Sequence, residues 1–257
     1  AKEYYEQAAE LGSSKALDNL GLLYKNGQGV EQDFIKAKEY YEQAVELDNS
    51  YAMYNLGLLY KDGQGVEQDY NKAKEYFERS IELGDSNALV ALAFLYLNGQ
   101  GVKQDFFKTI EYLEKAAEHG TSNAFLALAS LYLNGQGVKQ DYNKAKEYFE
   151  NAAQLGCSDA MTQLGCFYAN GWGVDRDYKK AREYFERAAN LGNSYALVNL
   201  GCFYENGNGV RQNYHIAKDY YERAIELGNP NAVDKLRALY DNGYLQIVKS
   251  SHKNIHK

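Results

Sequence analysis

Displaced by 36 residues, the sequence falls onto itself without a slip in register: Gly27, Gly63, Gly99, Gly135, Gly171 and Gly207 coincide, each followed two positions later by a second glycine. The same step superimposes Ala16, Ala52, Ala88, Ala124, Ala160, Ala196 and Ala232, then Leu20 through Leu236, then Tyr24 through Tyr240. A unit of this length holds one supersecondary element and too little apolar surface to fold alone. Neighbouring copies must therefore stack and share an interior.

Inside one copy, Ala16, Leu20, Leu23 and Tyr24 recur at helical spacing, as do Phe34, Ala37, Tyr41 and Ala44. This predicts two amphipathic helices of about three to four turns each. Ser13, Asn49, Asp85, Thr121, Asn193 and Asn229 stand where the first helix needs a cap, and Cys157 is the one departure. Pro230, the only proline, follows at a first helical position. Asp33, Asp69, Asp105, Asp141, Asp177 and Asn213 precede the second helix, and glycine ends the pair, as at Gly84 and Gly156. Small residues (Gly21, Gly57, Ala93, Ala129, Gly165 and Gly201) follow the central leucine, where a neighbouring helix can come close.

The expected architecture is all-α: a right-handed α-α superhelix, or solenoid, of 36-residue helix-turn-helix repeats with a concave and a convex side. The expected organisation is a single solenoid over 1–243. It comprises a half-repeat over 1–12, full repeats over 13–48, 49–84, 85–120, 121–156, 157–192 and 193–228, and a closing helix over 229–243, 14 helices in all. Arg237 replaces the small residue there and marks a cap; residues 244–257 form a basic tail, expected to be only partly ordered. Because Ala1–Glu6 repeats Ala37–Glu42 residue for residue, the chain is expected to start inside a repeat, as a fragment whose N-terminal edge is open to a homo-oligomer contact.

A net charge of -7 provides no overall basic field, which argues against nucleic acid and anionic membrane surfaces as partners. No apolar run is long enough to insert across a bilayer. The three cysteines are odd in number and favour a reducing, cytoplasmic compartment, although an export signal upstream of a fragment would be out of sight. Cys166 and Cys202 occupy equivalent positions on stacked helices, roughly 8–10 Å apart and beyond disulfide reach. Of 25 tyrosines, 21 fall on four repeat positions, so the aromatic excess is architecture rather than a ligand site.

The pattern Ala16, Leu20-Gly21, Tyr24, Gly27-x-Gly29-Val30, Asp33-Phe34, Ala37, Tyr40-Tyr41, Ala44 resembles the Sel1-like repeat, a relative of the tetratricopeptide repeat with a longer turn between its helices, here Gly27 to Gln32. The resemblance covers nearly the whole chain. It implies an adaptor or scaffold that binds protein, as in endoplasmic-reticulum quality control, cell-wall synthesis, signalling and bacterial contact with host proteins. A cysteine-rich Helicobacter branch of the same family, linked to β-lactam binding or hydrolysis, crosslinks its helices through paired cysteines, and this sequence lacks those pairs. The alternatives to a scaffold are therefore such an enzyme or a self-assembling structural unit.

No catalytic, cofactor or metal site is expected. The repeated Gly-x-Gly follows a helix rather than a strand and lacks a third glycine, so it reads as a turn and not a phosphate cradle. Glutamates such as Glu39 and Glu42 recur in every second helix beside lysines such as Lys38, a solvated face rather than an acid pair. His252 and His256, four apart on the tail, are too few to hold a metal, and His119 and His215 stand alone. Trp172, the only tryptophan, is either an exposed partner anchor or packing across its turn.

Information about a partner is expected where copies differ. On the first helix these are the positions of Lys15, Asp18, Asn19, Leu22 and Lys25, one stripe opposite the core leucines. The stripe is polar in the first copy and gains Tyr51, Tyr54 and Asn55 in the second. It turns apolar at Val90, Ala91, Phe94 and Leu97, then Leu126, Ala127, Ser130 and Leu133, and becomes polar again at Thr162, Gln163, Asn199 and Glu205. This predicts a groove for a peptide or protein near Phe94 and Leu133, with Asn55 and Asn199 holding backbone groups at its rims. Strong curvature, which would bury the stripe as core, is the competing reading.

Overall fold

The computed structural model describes residues 1–245, which contain fourteen α-helices and no strand. They divide into two compact units, one spanning Ala1–Gln140 and the other starting at Asp141. In the first, α1 (Lys2–Glu10) precedes three helix pairs: α2 (Ser14–Asn26) with α3 (Phe34–Val45), α4 (Ser50–Asp62) with α5 (Tyr70–Glu82), and α6 (Ser86–Asn98) with α7 (Phe106–Glu118). The unit then ends on α8 (Ser122–Asn134). In the second, α9 (Tyr142–Gln154) precedes the pairs α10 (Ser158–Asn170) with α11 (Tyr178–Asn190) and α12 (Ser194–Asn206) with α13 (Tyr214–Glu226), followed by α14 (Pro230–Asp241). Within each unit every helix packs on the next in sequence. The fold is the all-α repeat solenoid that the periodicity implies.

The caps follow the residue types. Asp33 accepts the amide protons of Ile35 and Lys36 at 3.0 Å, and Asp69, Asp141 and Asn213 each do the same for two amides. Ser13, Asn49 and Asn193 cap their own first helices through the third amide. Thr121 departs from the expected cap: its hydroxyl donates to Ser86 Oγ at 3.0 Å and makes no cap bond to α8. The reason lies in a ladder between copies. Asn49, Asn193 and Asn229 cap with the amide oxygen while the amide nitrogen donates to Ser14, Ser158 and Ser194 of the preceding copy. Threonine has one oxygen for both tasks, and here it serves the ladder.

The inter-helix loop is held by a residue whose role the sequence pattern leaves unread. The Gln32 side-chain amide donates to the Lys25 carbonyl at 2.8 Å, closing over a last-turn acceptor that the helix itself leaves open. Gln68, Gln104, Gln140 and Gln212 repeat the bond to Lys61, Leu97, Leu133 and Glu205. The second glycine of the loop serves stacking: a Cβ on Gly65 would sit 2.7 Å from Cβ of Phe34 in the preceding copy.

Four of the five pairs named above are closed by one ring. Phe77 of α5 lies so tightly across α4 that a Cβ on Gly57 would come within 2.5 Å of it. Tyr41 crosses Gly21 in the same way, as Phe185 crosses Gly165 and Tyr221 crosses Gly201. In the third copy both partners change together, to Ala93 and Leu113. Outside this crossing, Tyr60 stacks on Tyr76 with ring centroids 5.7 Å apart, and Lys72 and Arg79 lie over the two outer faces. The stack recurs at Tyr24 and Tyr40, Tyr96 and Tyr112, Tyr168 and Tyr184, and Tyr204 and Tyr220. Such a pair contributes about 0.5–1.5 kcal/mol and each cation about 0.5–1 kcal/mol.

Tyr244 and Leu245, the first two residues of the expected tail, are packed: Tyr244 stacks on Tyr214 at 4.3 Å, and Leu245 is buried with Ala217, Tyr221 and Leu239. The rest of the tail, with His252 and His256, lies outside the described residues.

Gly57→Ala should destabilise the chain by about 1–3 kcal/mol through overpacking, and Phe77→Leu, which copies the Ala93 and Leu113 combination, should recover part of that loss. Additive effects in a double-mutant denaturation cycle would refute the coupling. Asp48 occupies the left-handed position, at φ 53°, that glycine fills at Gly12, Gly84, Gly120, Gly156, Gly192 and Gly228. Asp48→Gly should raise stability by about 0.5–1 kcal/mol, the relieved strain exceeding the added chain entropy. An unchanged or lower denaturation midpoint would count against it.

Candidate partner-binding groove

The stripe of variable positions opens into a groove of about 690 Å³ within the first unit. Tyr54 and Leu58 of α4, Val90, Ala91, Phe94 and Leu97 of α6, and Leu126, Ala127 and Ser130 of α8 line it. Leu113 of α7 and Leu131 form part of its base, and Lys61, Asn87, Asn98, Gln100, Asn123 and Gln136 add polar groups. Lys61 is the one charged lining residue and pairs with Asp62 at 3.3 Å. The stripe is divided in depth: Val90 and Ala91 are each 8% exposed, whereas Phe94 is 41% exposed.

Of the residues singled out by sequence, Tyr54, Val90, Phe94, Leu97, Leu126 and Ser130 come together here. Tyr51, Asn55, Leu133 and Asn199 are not part of the lining. Tyr51 is largely exposed one turn before Tyr54. Asn55 is buried, its amide donating to Asp18 Oδ1 at 3.0 Å across the two copies. Leu133 is half-buried and its carbonyl holds Gln140, while Asn199 belongs to the second unit, where its amide donates to the Tyr195 carbonyl. Ser130 spends its hydroxyl on the Leu126 carbonyl at 2.9 Å, so it presents little polarity to the groove. Leu58, at the Leu22 position of the stripe, lines the groove as well, and Leu113 is a contributor that the stripe does not include. Leu113 sits on a second helix, and only its position opposite Ala93 brings it to the base.

The first copy, by contrast, has a polar interior edge. Burial raises the Asp18 carboxyl above its ordinary range, partly offset by the Asn55 hydrogen bond and by Lys25. Burial lowers the Lys25 ammonium. The Tyr41 hydroxyl is buried without a hydrogen-bond partner, and burial pushes its pKa far up. Its counterpart Tyr221 donates to Glu205 at 2.5 Å and lies 3.3 Å from Cys202 Sγ. Glu205 occupies the position of Lys25, and an ammonium can only donate, which explains why Tyr41 lacks the acceptor that Tyr221 has.

The remaining chemistry-bearing residues do not converge. Cys157, Cys166 and Cys202 are all free thiols, and burial raises Cys166. Trp172 stacks on Tyr142 at 6.3 Å and meets Phe167 edge-on at 5.7 Å, so it packs across its turn. The recurring glutamates pair with cations one turn earlier, as Lys38 with Glu42 at 2.7 Å and Lys74 with Glu78 at 3.1 Å, solvated pairs of about 0.3–0.5 kcal/mol. Among the described residues, no three His, Cys, Asp or Glu side chains are grouped to hold a metal ion, and no helix is long and apolar enough to cross a membrane.

Helix pairs joined by a paired-glycine loop, stacked through a cap ladder, define a helix-pair α-solenoid. The Sel1 repeat matches residues 1–13, 14–49, 50–85, 86–121, 122–157, 158–193 and 194–229, and the chain belongs to the Sel1 repeat family, whose general role is protein interaction. These boundaries lie one residue beyond those drawn from the caps. A Sel1 repeat protein from Oxalobacter formigenes is 34% identical over 84% of this chain and 89% of its own, with a TM-score of 0.77. The c5321 protective antigen of uropathogenic Escherichia coli, described as displaying an SLR fold, is 29% identical over 95% of this chain and 60% of its own, with a TM-score of 0.58. The immunity protein Pa5087 of Pseudomonas aeruginosa, 23% identical over 84% of this chain and 83% of its own with a TM-score of 0.60, shares the fold. No curated protein matches the chain.

Asp18 sets a pH dependence. Because its folded pKa lies above the unfolded value, the native state keeps a proton that the unfolded chain has released. Its contribution is therefore most favourable at low pH and is lost as pH rises through the folded value. Asp18→Asn keeps an acceptor for Asn55 without the buried charge, so it should raise Tm at neutral pH and flatten Tm between about pH 4 and 7. Parallel pH profiles for the two proteins would refute this.

Proposed function

We propose that this chain is a non-enzymatic scaffold or adaptor that holds a peptide or protein segment along its first helices, anchored in the groove of α4, α6 and α8. The observation that carries the reading is the change of lining between adjacent copies. In the first two, the stripe spends its polar groups internally, through the buried Asp18 and Asn55 bond. In the next two it presents Phe94, Leu97 and Leu126 around an open groove. A partner side chain buried there gains about 1.5–3 kcal/mol, enough to make the groove the energetic centre of a larger contact. The Asn123 amide at the rim offers both a donor and an acceptor to a partner backbone.

A scaffold reading also accounts for the distribution of titratable groups. Glutamates that recur in every second helix and pair with cations build a soluble face repeated along the chain. An active site needs its acid and base at one place.

The test is the full chain carrying Phe94→Asp and Leu126→Asp, used beside the wild type to co-purify partners from the native source. Neither side chain is fully buried, so the thermal melt should shift by only a few degrees. Capture of the partner should fall about tenfold or more. A folded double variant that captures the same partner equally well would remove the groove from the interaction.

A further inference from the structure

The groove lies where one ring of the fold is missing. In the pairs built on Gly21, Gly57, Gly165 and Gly201, an aromatic side chain from the second helix crosses the first. Tyr221 shows where its tip arrives: beside Cys202 and Glu205, on the stripe of the first helix. In the third copy those two positions are Phe94 and Leu97, and both line the groove. The crossing residue there is Leu113, which also lines the groove and ends where the outer half of a phenyl ring would begin.

We propose that this groove is a receptor for one aromatic side chain of the partner, which enters from the stripe and occupies the outer part of the space that a crossing ring fills in other copies. The proposal rests on the scaffold reading above and specifies what the groove selects. Three features support an aromatic occupant. The base is aliphatic, at Leu113 and Leu131, so a ring meets no polar group below it. Phe94 and Tyr54 stand at the walls and supply ring faces and edges, the arrangement in which aromatic pairs gain beyond simple burial. The lining holds no carboxylate, and its single cation, Lys61, is compatible with the negative face of a ring.

The fold supplies its own control. Ala93→Gly together with Leu113→Phe rebuilds the pairing seen at Gly57 and Phe77, closing the groove from within. The probe is N-acetyl-tryptophanamide, with N-acetyl-leucinamide as the aliphatic comparison, titrated into the full chain with labelled leucine methyls. The tryptophan probe should shift the Leu113 and Leu126 methyls saturably and bind at least about tenfold more tightly than the leucine probe. The double variant, which has no leucine methyl at position 113 and is read at Leu126, should lose that response and also lose partner capture. Equal response to both probes in the wild type, no response at Leu113, or an unchanged response in a folded double variant would overturn the proposal. The wild-type comparison decides the matter alone if the variant does not fold. If Phe94→Asp with Leu126→Asp abolishes partner capture while the ring-restoring variant leaves it intact, the groove reading stands and the aromatic receptor falls. If neither variant affects capture, the groove reading itself falls.

Discussion

The crossing of an aromatic ring over a glycine fixes how closely the two helices of a pair approach, and the rest of the architecture depends on that distance. A ring is rigid, and a glycine without Cβ lets it lie against helix backbone, so the contact has little room to relax. The third copy shows the same rule from the other side. There Leu113 stands in place of the ring and Ala93 carries a methyl, so the total volume in the crossing is nearly conserved, whereas the next copy has Ala129 with Phe149. What is not conserved is its position: the methyl sits deep, and the outer part of the space opens as a groove.

Between pairs the copies share an apolar interior, as where Ala37, Tyr41 and Ala44 pack with Ala52, Leu56 and Leu59, and local polar and aromatic contacts within and between copies add to it. Asn49, Asn193 and Asn229 each satisfy their own helix and its predecessor, Gln32, Gln68, Gln104, Gln140 and Gln212 each close a free carbonyl, and tyrosines stack under lysine or arginine on the outside. None of these contacts draws on the stripe of the first helix. The exposed part of the stripe can therefore vary without loss of the stack, whereas its buried part, as at Asp18 and Asn55, takes part in it; this is the physical reason that a repeat scaffold can change specificity copy by copy.

Much of this was legible in the sequence because a strict period averages out local ambiguity. Helix count among the described residues and most caps follow from spacing and residue type, and six of the ten stripe residues do line one groove. What was not legible depends on contacts between copies. Asn55 reads as an exposed amide until Asp18, 37 residues earlier, is seen to hold it. Thr121 reads as a cap until its single hydroxyl is claimed by Ser86. Leu133 lies on the right face, yet it stays out of the lining to which Ser130 and Leu131 before it and Gln136 after it belong. Leu113 belongs to a helix whose pattern reads as core, and nothing local marks it as the base of a surface site.

The departures of the third copy also bear on one another. Ala93, Phe94, Leu97 and Leu113 all differ from their counterparts in the first pair, and the structure brings them around one space rather than scattering them. Thr109, which replaces the buried alanine of other copies, bonds the Asp105 carbonyl at 2.8 Å beneath the same crossing. Leucine at the ring position opposite a glycine would leave a void that destabilises by itself. Changes on two helices that instead compensate in volume while turning a polar stripe apolar keep the pair packed and alter only what it offers outward. The difference between this copy and its neighbours is thus a difference of surface achieved at constant fold, which is what a binding role requires and what a purely structural role would not need.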